Sequence, residues 1–315
     1  MNHEQRMFID HKDVDRASKI YLDAAAYPNS SIAADYDALL SPNGKTDNKN
    51  DLDYLYDLYQ ETKLLQAASG YIFNNRIENA ANLPWKGTIE FAKILTNKFG
   101  VPCTLTNDAN AATIGEMMYG AAKGMKDFIM LTLGTGVGSG IVVNGQLVYG
   151  KRSFAGELGH TSIRPENGRP CPCGRKGCLE TYCSATGVAE TAREYLASGN
   201  YPESPLHALA LEEITSKDVY DAAVQGDRLG NEVFAFTGQL LGESCADFAT
   251  FSDPEAFIFF GGLTKAGDLL MEPIVKTYNE TVFDNYKGTA RFLISQLKDA
   301  EAALLGAAAL AWTDR

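Results

Sequence analysis

The chain has 315 residues, with 28 Lys or Arg against 40 Asp or Glu and a formal charge of −12. That length suits one large domain or two medium ones, and 45% hydrophobic against 22% charged residues is a globular balance. The acid excess argues against a nucleic-acid binder, which needs a basic face. With no apolar run of about 18 residues and no apolar N-terminal leader, neither a membrane span nor an exported chain is expected, which leaves a cytoplasmic small-molecule protein.

Residues 1–65 are polar and carry weak patterns. Lys19 to Asp23 reads as a short strand, and Leu52, Leu55, Tyr56, Leu58 and Tyr59 fall on one helical face. From residue 88 the spacing is clearer. Thr88 to Phe99 predicts a helix that Gly100 ends. Val101 to Thr106 predicts a strand, and Asn107 or Asp108 can cap a helix over Ala109 to Tyr119. Phe128 to Leu133 is a continuous apolar strand, as in the middle of a sheet. Gly134-Thr135-Gly136-Val137-Gly138-Ser139-Gly140 reads as a glycine-rich turn, Ile141 to Val143 as a strand, Asn144-Gly145 as a tight hairpin turn and Gln146 to Tyr149 as its return strand. Ser184 caps a helix to Ala197. Further helices are expected over Ser216 to Gln225, Leu229 to Phe251, Asp268 to Phe283 and Ala300 to Trp312. Ala256 to Phe260 and Phe292 to Ile294 are expected strands. Alternating strands and helices give an α/β class.

Three features carry chemistry. The first is the cysteine loop. Six cysteines occur, at 103, 171, 173, 178, 183 and 245, and three of them fall within eight residues. In a large chain without an export signal, reduced thiols are the expectation. Cys171, Cys173 and Cys178, with His160 separated from Cys171 by ten residues, supply a full tetrahedral N/S set for zinc. Four protein ligands leave no open position, so the ion would be structural. The alternative is three unrelated buried thiols.

The second feature is the segment Gly134 to Gly140. Its glycines would let backbone N–H groups approach a phosphate, with Thr135 adding a hydroxyl. The alternative is a flexible hairpin. It is neither a Walker loop nor the dinucleotide fingerprint, because no Gly-Lys-Ser/Thr and no helix follows. The third is Thr106-Asn107-Asp108-Ala109-Asn110 at a strand-to-helix junction, where α/β folds place ligands. Asp108 can accept a proton from a substrate hydroxyl, or simply cap the helix. Glu157, His160 and Glu180 around the cysteine loop would suit the hydroxyls of a sugar, though each alone reads as a solvated side chain on the surface.

Taken together, these residues resemble the ROK family of bacterial sugar kinases and sugar-responsive repressors, and its glucokinase-like members most. The resemblance rests on Asn82-Leu83-Pro84-Trp85, Thr106 to Ala112, Leu133 to Gly140, Gly156-Glu157-Leu158-Gly159-His160 and the cysteine loop ending in Glu180. It implies a two-lobed actin/hexokinase-type (ribonuclease H-like) α/β fold with a structural zinc loop over 160–178. The smaller lobe would span 1–106, joined by the C-terminal helix 300–315, and the larger lobe 107–299. It also implies phosphorylation of a hexose by Mg²⁺-ATP, with glucose as the leading candidate. Asp108 would be the base, and Asn82, Asn107, Asp108, Glu157, His160 and Glu180 the sugar contacts. Gly134, Thr135, Gly136 and Gly138 would face phosphate, and Gly261 and Gly262 adenosine. Zinc would sit on His160, Cys171, Cys173 and Cys178, with the second His160 ring nitrogen facing a sugar hydroxyl. Family members are commonly homodimers or homotetramers.

The chain also departs from the family. Where the family's first phosphate loop reads Asp-x-Gly-Gly-Thr, this chain reads Asp10-His11-Lys12-Asp13-Val14, and the sugar loop Gly-x-Pro-Gly becomes Ala67-Ala68-Ser69-Gly70. Side chains there would crowd the phosphates, and Asp13 would repel them. A pseudokinase that binds sugar without phosphorylating it is therefore the second reading. A repressor is expected to carry an additional helix-turn-helix domain before the kinase landmarks, and here those landmarks begin where a bare kinase would place them.

Overall fold

The computed structural model describes residues 71–73, 76–78, 87–99, 105–297 and 302–313. The expected strand at Lys19 to Asp23, the helical face at 52–59, the altered loops at 10–14 and 67–70, Asn82, Gly100 and Cys103 lie outside these residues. So does most of the strand expected over 101–106, and Leu105 to Asn107 have no regular structure. Two compact units divide between Leu105 and Thr106.

In the first unit, β1 (Tyr71–Phe73), β2 (Arg76–Glu78) and β3 (Thr88–Ile89) form an antiparallel sheet, followed by α1 (Phe91–Phe99). Buried Ile77 stands opposite Ile72 and Ile89. The helix therefore starts at Phe91 and not at Thr88. Thr88 and Ile89 are β-branched, and cross-strand pairing with β2 overrides their place in the helical pattern.

The second unit is built on a five-stranded mixed sheet, ordered β6-β5-β4-β7-β8, from β4 (Phe128–Leu133), β5 (Val137–Val143), β6 (Gln146–Leu147), β7 (Ala256–Phe260) and β8 (Arg291–Ile294). β4 pairs antiparallel with β5 and parallel with β7, and β7 is parallel to β8. The apolar run of β4 is explained by layers on both faces. Ile129, Leu131 and Leu133 join one core, built with α4 (Ala185–Ala197), α6 (Arg228–Ser252) and α7 (Asp268–Thr281). Phe128 and Met130 join the other, with Ala112 of α2 (Asp108–Tyr119) and Ala302 of α8 (Ala302–Thr313). Each large apolar side chain so buried contributes about 1.5–3 kcal/mol. A parallel β4–β7 pair needs a long crossover. The crossover here carries the cysteine loop, α3 (Glu180–Cys183), α4, α5 (Ser216–Val224) and α6.

α8 crosses α2 at backbone contact distance. A side chain on Gly306 would put its first carbon 1.6 Å from the carbonyl oxygen of Ala111, and one on Gly115 would lie 2.5 Å from that of Ala302. The closing helix, expected to join the smaller lobe, thus clusters with the second unit. Among the described residues no helix is long and apolar enough to cross a membrane.

The glycine-rich segment is a turn only at Gly134 to Gly136, and Val137 to Gly140 are strand. Gly138 and Gly140 serve packing: a first side-chain carbon there would meet Thr132 Oγ1 at 2.5 Å and Thr113 Oγ1 at 2.1 Å. Their absent side chains let α2 press against the hairpin, a use of glycine that its spacing does not distinguish from a loop. The Asn144-Gly145 turn forms as expected with positive φ at both residues, but its return strand stops at Leu147.

Candidate functional site

The helix that begins at Asp108 is capped by its neighbour. Asn107 Oδ1 accepts from the Asn110 N–H at 2.7 Å, so Asn107 is the N-cap and Asp108 is the first helical residue. Asp108 is therefore not the cap, and its carboxylate accepts from the adjacent Ala109 N–H at 2.9 Å. With its oxygen engaged in the cap, Asn107 has its amide NH₂ to offer a ligand. Asp108 remains open to solvent, yet surrounding atoms hold water away from its carboxylate. That desolvation raises its pKa above the ordinary aspartate value, against opposition from the Ala109 and Asp108 N–H groups.

Segment 156–160 is fastened to β5. Ser139 Oγ accepts from the Leu158 N–H at 3.0 Å and donates to the Gly156 carbonyl. The single turn Leu158–His160 then lies so close to the strand that any side chain at Gly159 would stand 2.0 Å from the Val137 carbonyl oxygen. Glu157 and His160 are thereby held at the end of β4–β5. Desolvation raises the pKa of Glu157. His160 opposes that shift, and the nearby charges of Asp108 and Glu180 add to it. These four groups share one electrostatic neighbourhood.

The cysteine loop folds back as a narrow ribbon, with bridges Ser162 to Cys178 and Pro170 to Lys176. Its ends meet where Leu179 N–H donates to the Thr161 carbonyl at 2.9 Å. His160, Cys171, Cys173 and Cys178 each present a ligand atom, all within 4.8 Å of one another. Cys173 and Cys178 sulfurs are 3.6 Å apart, and Cys171 Sγ is 3.5 Å from His160 Nδ1. A tetrahedron with Zn–S near 2.3 Å and Zn–N near 2.05 Å has edges of about 3.8 and 3.6 Å. The donor set and its spacing fit zinc. Burial pushes the Cys171 and Cys178 thiols up, so each needs a cation to hold it as thiolate. Cys183 and Cys245 lie elsewhere, fully buried with their thiols likewise pushed up, and have the character of core residues.

Glu180 opens α3 directly after the loop. Its Oε1 lies 3.1 Å from Cys171 Sγ and 3.4 Å from His160 Nδ1, while His160 Nε2 faces Glu157 Oε2 at 4.0 Å. The imidazole thus turns Nδ1 to Cys171 and Glu180, and Nε2 to Glu157. On the other side of Glu180 is the glycine turn, since a first side-chain carbon on Gly136 would fall 2.8 Å from Glu180 Oε2. The turn is tied to α4 by the Ala185 N–H on the Gly134 carbonyl at 2.8 Å and the Thr186 hydroxyl on the Thr135 carbonyl at 3.1 Å. Gly261, at φ +105°, lies against Leu133, the last residue of β4. Gly134 and Gly261–Gly262 therefore sit side by side beyond the carboxyl ends of parallel β4 and β7, where open α/β sheets bind ligands. Gly134 and Gly262 both face open space.

The structure thus gathers Asp108, Glu157, His160 and Glu180 beside Gly136 and the four-ligand cluster, with Asn107 adjacent. One residue of this neighbourhood escaped the sequence reading: Arg169, whose guanidinium is locked between the loop, α3 and α4. A lone arginine without a motif carries no local signal of that role.

A family model described as "ROK family" matches residues 59–314. A glucokinase of Halalkalibacterium halodurans is 36% identical over 233 residues, covering 74% of this chain and 69% of that protein. A ROK family glucokinase of Streptomyces griseus, solved with glucose and AMPPNP, superposes with a TM-score of 0.67 at 33% identity, covering 77% of this chain and 78% of that one. A xylose repressor of Caldicellulosiruptor bescii is 29% identical, covering 75% of this chain and 58% of that protein.

Proposed function

The chain belongs to the ROK family, with the family's actin/hexokinase-like α/β fold, and on that premise we propose that it phosphorylates a hexose with ATP, glucose first among the candidates. The observation that carries this reading is the convergence of Asp108, Glu157, His160 and Glu180 on one end of β4–β5, next to the turn 134–136, where Gly134 has room for an approaching group. Carboxylates and an imidazole supply the bidentate partners that sugar hydroxyls need. In this reading Asp108 takes the proton from the attacking hydroxyl. Its place on the first turn of α2, with the cap supplied by Asn107, leaves one carboxylate oxygen on the Ala109 N–H and the other for the substrate hydroxyl. Glu157, Glu180 and the Nε2 side of His160 orient the ring, with Asn107 and Asn82 as further sugar contacts. Phosphoryl transfer otherwise depends on positioning and charge neutralisation, which Mg²⁺ bound to ATP supplies. Gly134 to Gly138 and Gly261–Gly262 are the proposed approach surface for phosphates and adenosine. Zinc on His160, Cys171, Cys173 and Cys178 would fix the imidazole tautomer and the loop. Cytoplasmic residence and a homodimer or homotetramer go with this reading.

A steady-state assay tests it: purified protein with Mg²⁺-ATP should release ADP in a glucose-dependent way, with mannose and N-acetylated hexoses as comparisons. The residues Asp10-His11-Lys12-Asp13-Val14 favour a second reading, a sugar-binding pseudokinase. Calorimetry separates the two, because a pseudokinase gives heat with hexose and none with ATP.

Gly136→Ala probes the sugar side. The added carbon meets the end of a flexible side chain, so stability should hardly change, but the Glu180 carboxylate must move. The expected result is a rise in hexose KM of about tenfold with an unchanged melting temperature. An unchanged KM would show that Glu180 does not touch the sugar.

A further inference from the structure

We propose that Arg169 is a positioning residue for hexose binding, holding Glu180 in place independently of the metal. The proposal rests on the sugar-kinase reading of the site.

The need for such a residue is visible in α3. This helix has four residues and no side-chain N-cap, so it cannot hold its own direction. Glu180 is its first residue. Apart from its contacts with Cys171 and His160, the orientation of Glu180 depends on what holds Thr181 and Tyr182.

Arg169 supplies that contact. Its Nη1 donates to the Thr181 carbonyl at 2.7 Å and to the Gly187 carbonyl at 3.1 Å. Its Nη2 donates to Thr191 Oγ1 at 2.9 Å and Glu194 Oε2 at 2.6 Å, and its Nε to Glu194 Oε1 at 2.9 Å. All five guanidinium N–H groups thus have an acceptor. The guanidinium also lies over the Tyr182 ring at 4.4 Å, and the Tyr182 hydroxyl accepts from the Arg169 backbone N–H at 3.0 Å. The Arg169 side chain is only 12% exposed. A planar fork with five donors bridges α3 to α4, the longer helix that also carries the glycine turn. Lysine has three donors in another geometry and no flat face for the ring, so it cannot replace it.

None of these contacts involves a ligand atom of the metal cluster. Two anchors therefore act on Glu180, the cluster through Cys171 and the arginine through Thr181 and Tyr182. A residue that merely held the loop would, when replaced, release the metal as well. A positioning residue would not.

The test uses the full-length protein carrying its metal. Arg169→Lys should lower kcat/KM for hexose about 10- to 100-fold through KM. The KM for ATP should stay within about twofold of wild type, as expected when only one substrate's binding is touched. Metal content, read by plasma emission, should match wild type. Hexose calorimetry should weaken in step with KM. Glu194→Gln keeps an acceptor but removes the charge from a half-exposed partner, so it should fold and show a smaller effect of the same kind. Wild-type hexose KM in Arg169→Lys would overturn the proposal, as would metal loss or an equal loss of ATP affinity. A wild-type protein that binds no hexose overturns the sugar reading and this proposal with it, an outcome distinct from wild-type binding that Arg169→Lys leaves unchanged.

Discussion

Asp108→Asn is expected to lower kcat for hexose phosphorylation by about 10²- to 10⁴-fold, the usual range for loss of one positioned general base. Asparagine keeps an oxygen to accept from the Ala109 N–H, so the start of α2 is preserved. Hexose affinity should change little. The melting temperature at neutral pH should not fall and is expected to rise slightly. The sign follows from desolvation, which raises the carboxyl's pKa in the folded protein. Stability linked to a raised carboxyl pKa is present at low pH and is lost as pH rises through the folded-state value. At neutral pH the ionised group therefore opposes folding, and the amide removes that opposition. The wild-type pH profile should show the same group from the other direction. A base must be ionised to work, so kcat/KM should fall on the acidic side with a midpoint above the ordinary aspartate value. The residual activity of Asp108→Asn should lack that limb. Steady-state kinetics with thermal melts decide the matter. A loss of activity matched by a loss of stability would make Asp108 a structural residue.

Asp108 could be singled out in the sequence because the signal is local: a capping residue and a helix within a few positions. Which residue caps was open, and the Asn107 side chain settles that through a contact three residues along. The cysteine loop was legible for the same reason, since three of its four ligands lie within eight residues. What sequence could not reveal depends on partners brought from a distance. Gly138 and Gly140 read as a flexible turn but are strand residues thinned for packing against α2. β1 and β2, at three residues each, are too short for alternation to register. Arg169 takes its partners from 12 to 25 positions away, on two helices whose packing no spacing rule predicts.

The second large effect concerns the metal. Cys178→Ser is expected to reduce bound zinc from about one per chain to near zero, because a serine hydroxyl is a poor substitute for thiolate in a Cys₃His site. Cys178 is fully buried and 3.6 Å from Cys173, so the change also leaves a hydroxyl buried where a thiol stood. A loss of a few kcal/mol from this unit corresponds to a drop in melting temperature on the order of 10 °C. The same shift should follow chelation of the wild-type protein. Hexose affinity should fall with it, by about tenfold or more, since His160 is one of the four candidate ligands and Glu180 lies 3.1 Å from Cys171 Sγ. Here the prediction separates from Arg169→Lys, which should weaken hexose binding while metal stays bound. Metal analysis, melting curves and hexose calorimetry on the two variants side by side distinguish these routes to Glu180. A metal-free wild-type preparation that melts and binds hexose as before chelation would remove zinc from the site. The cysteines would then be a thiol cluster held together by the ribbon's backbone hydrogen bonds alone.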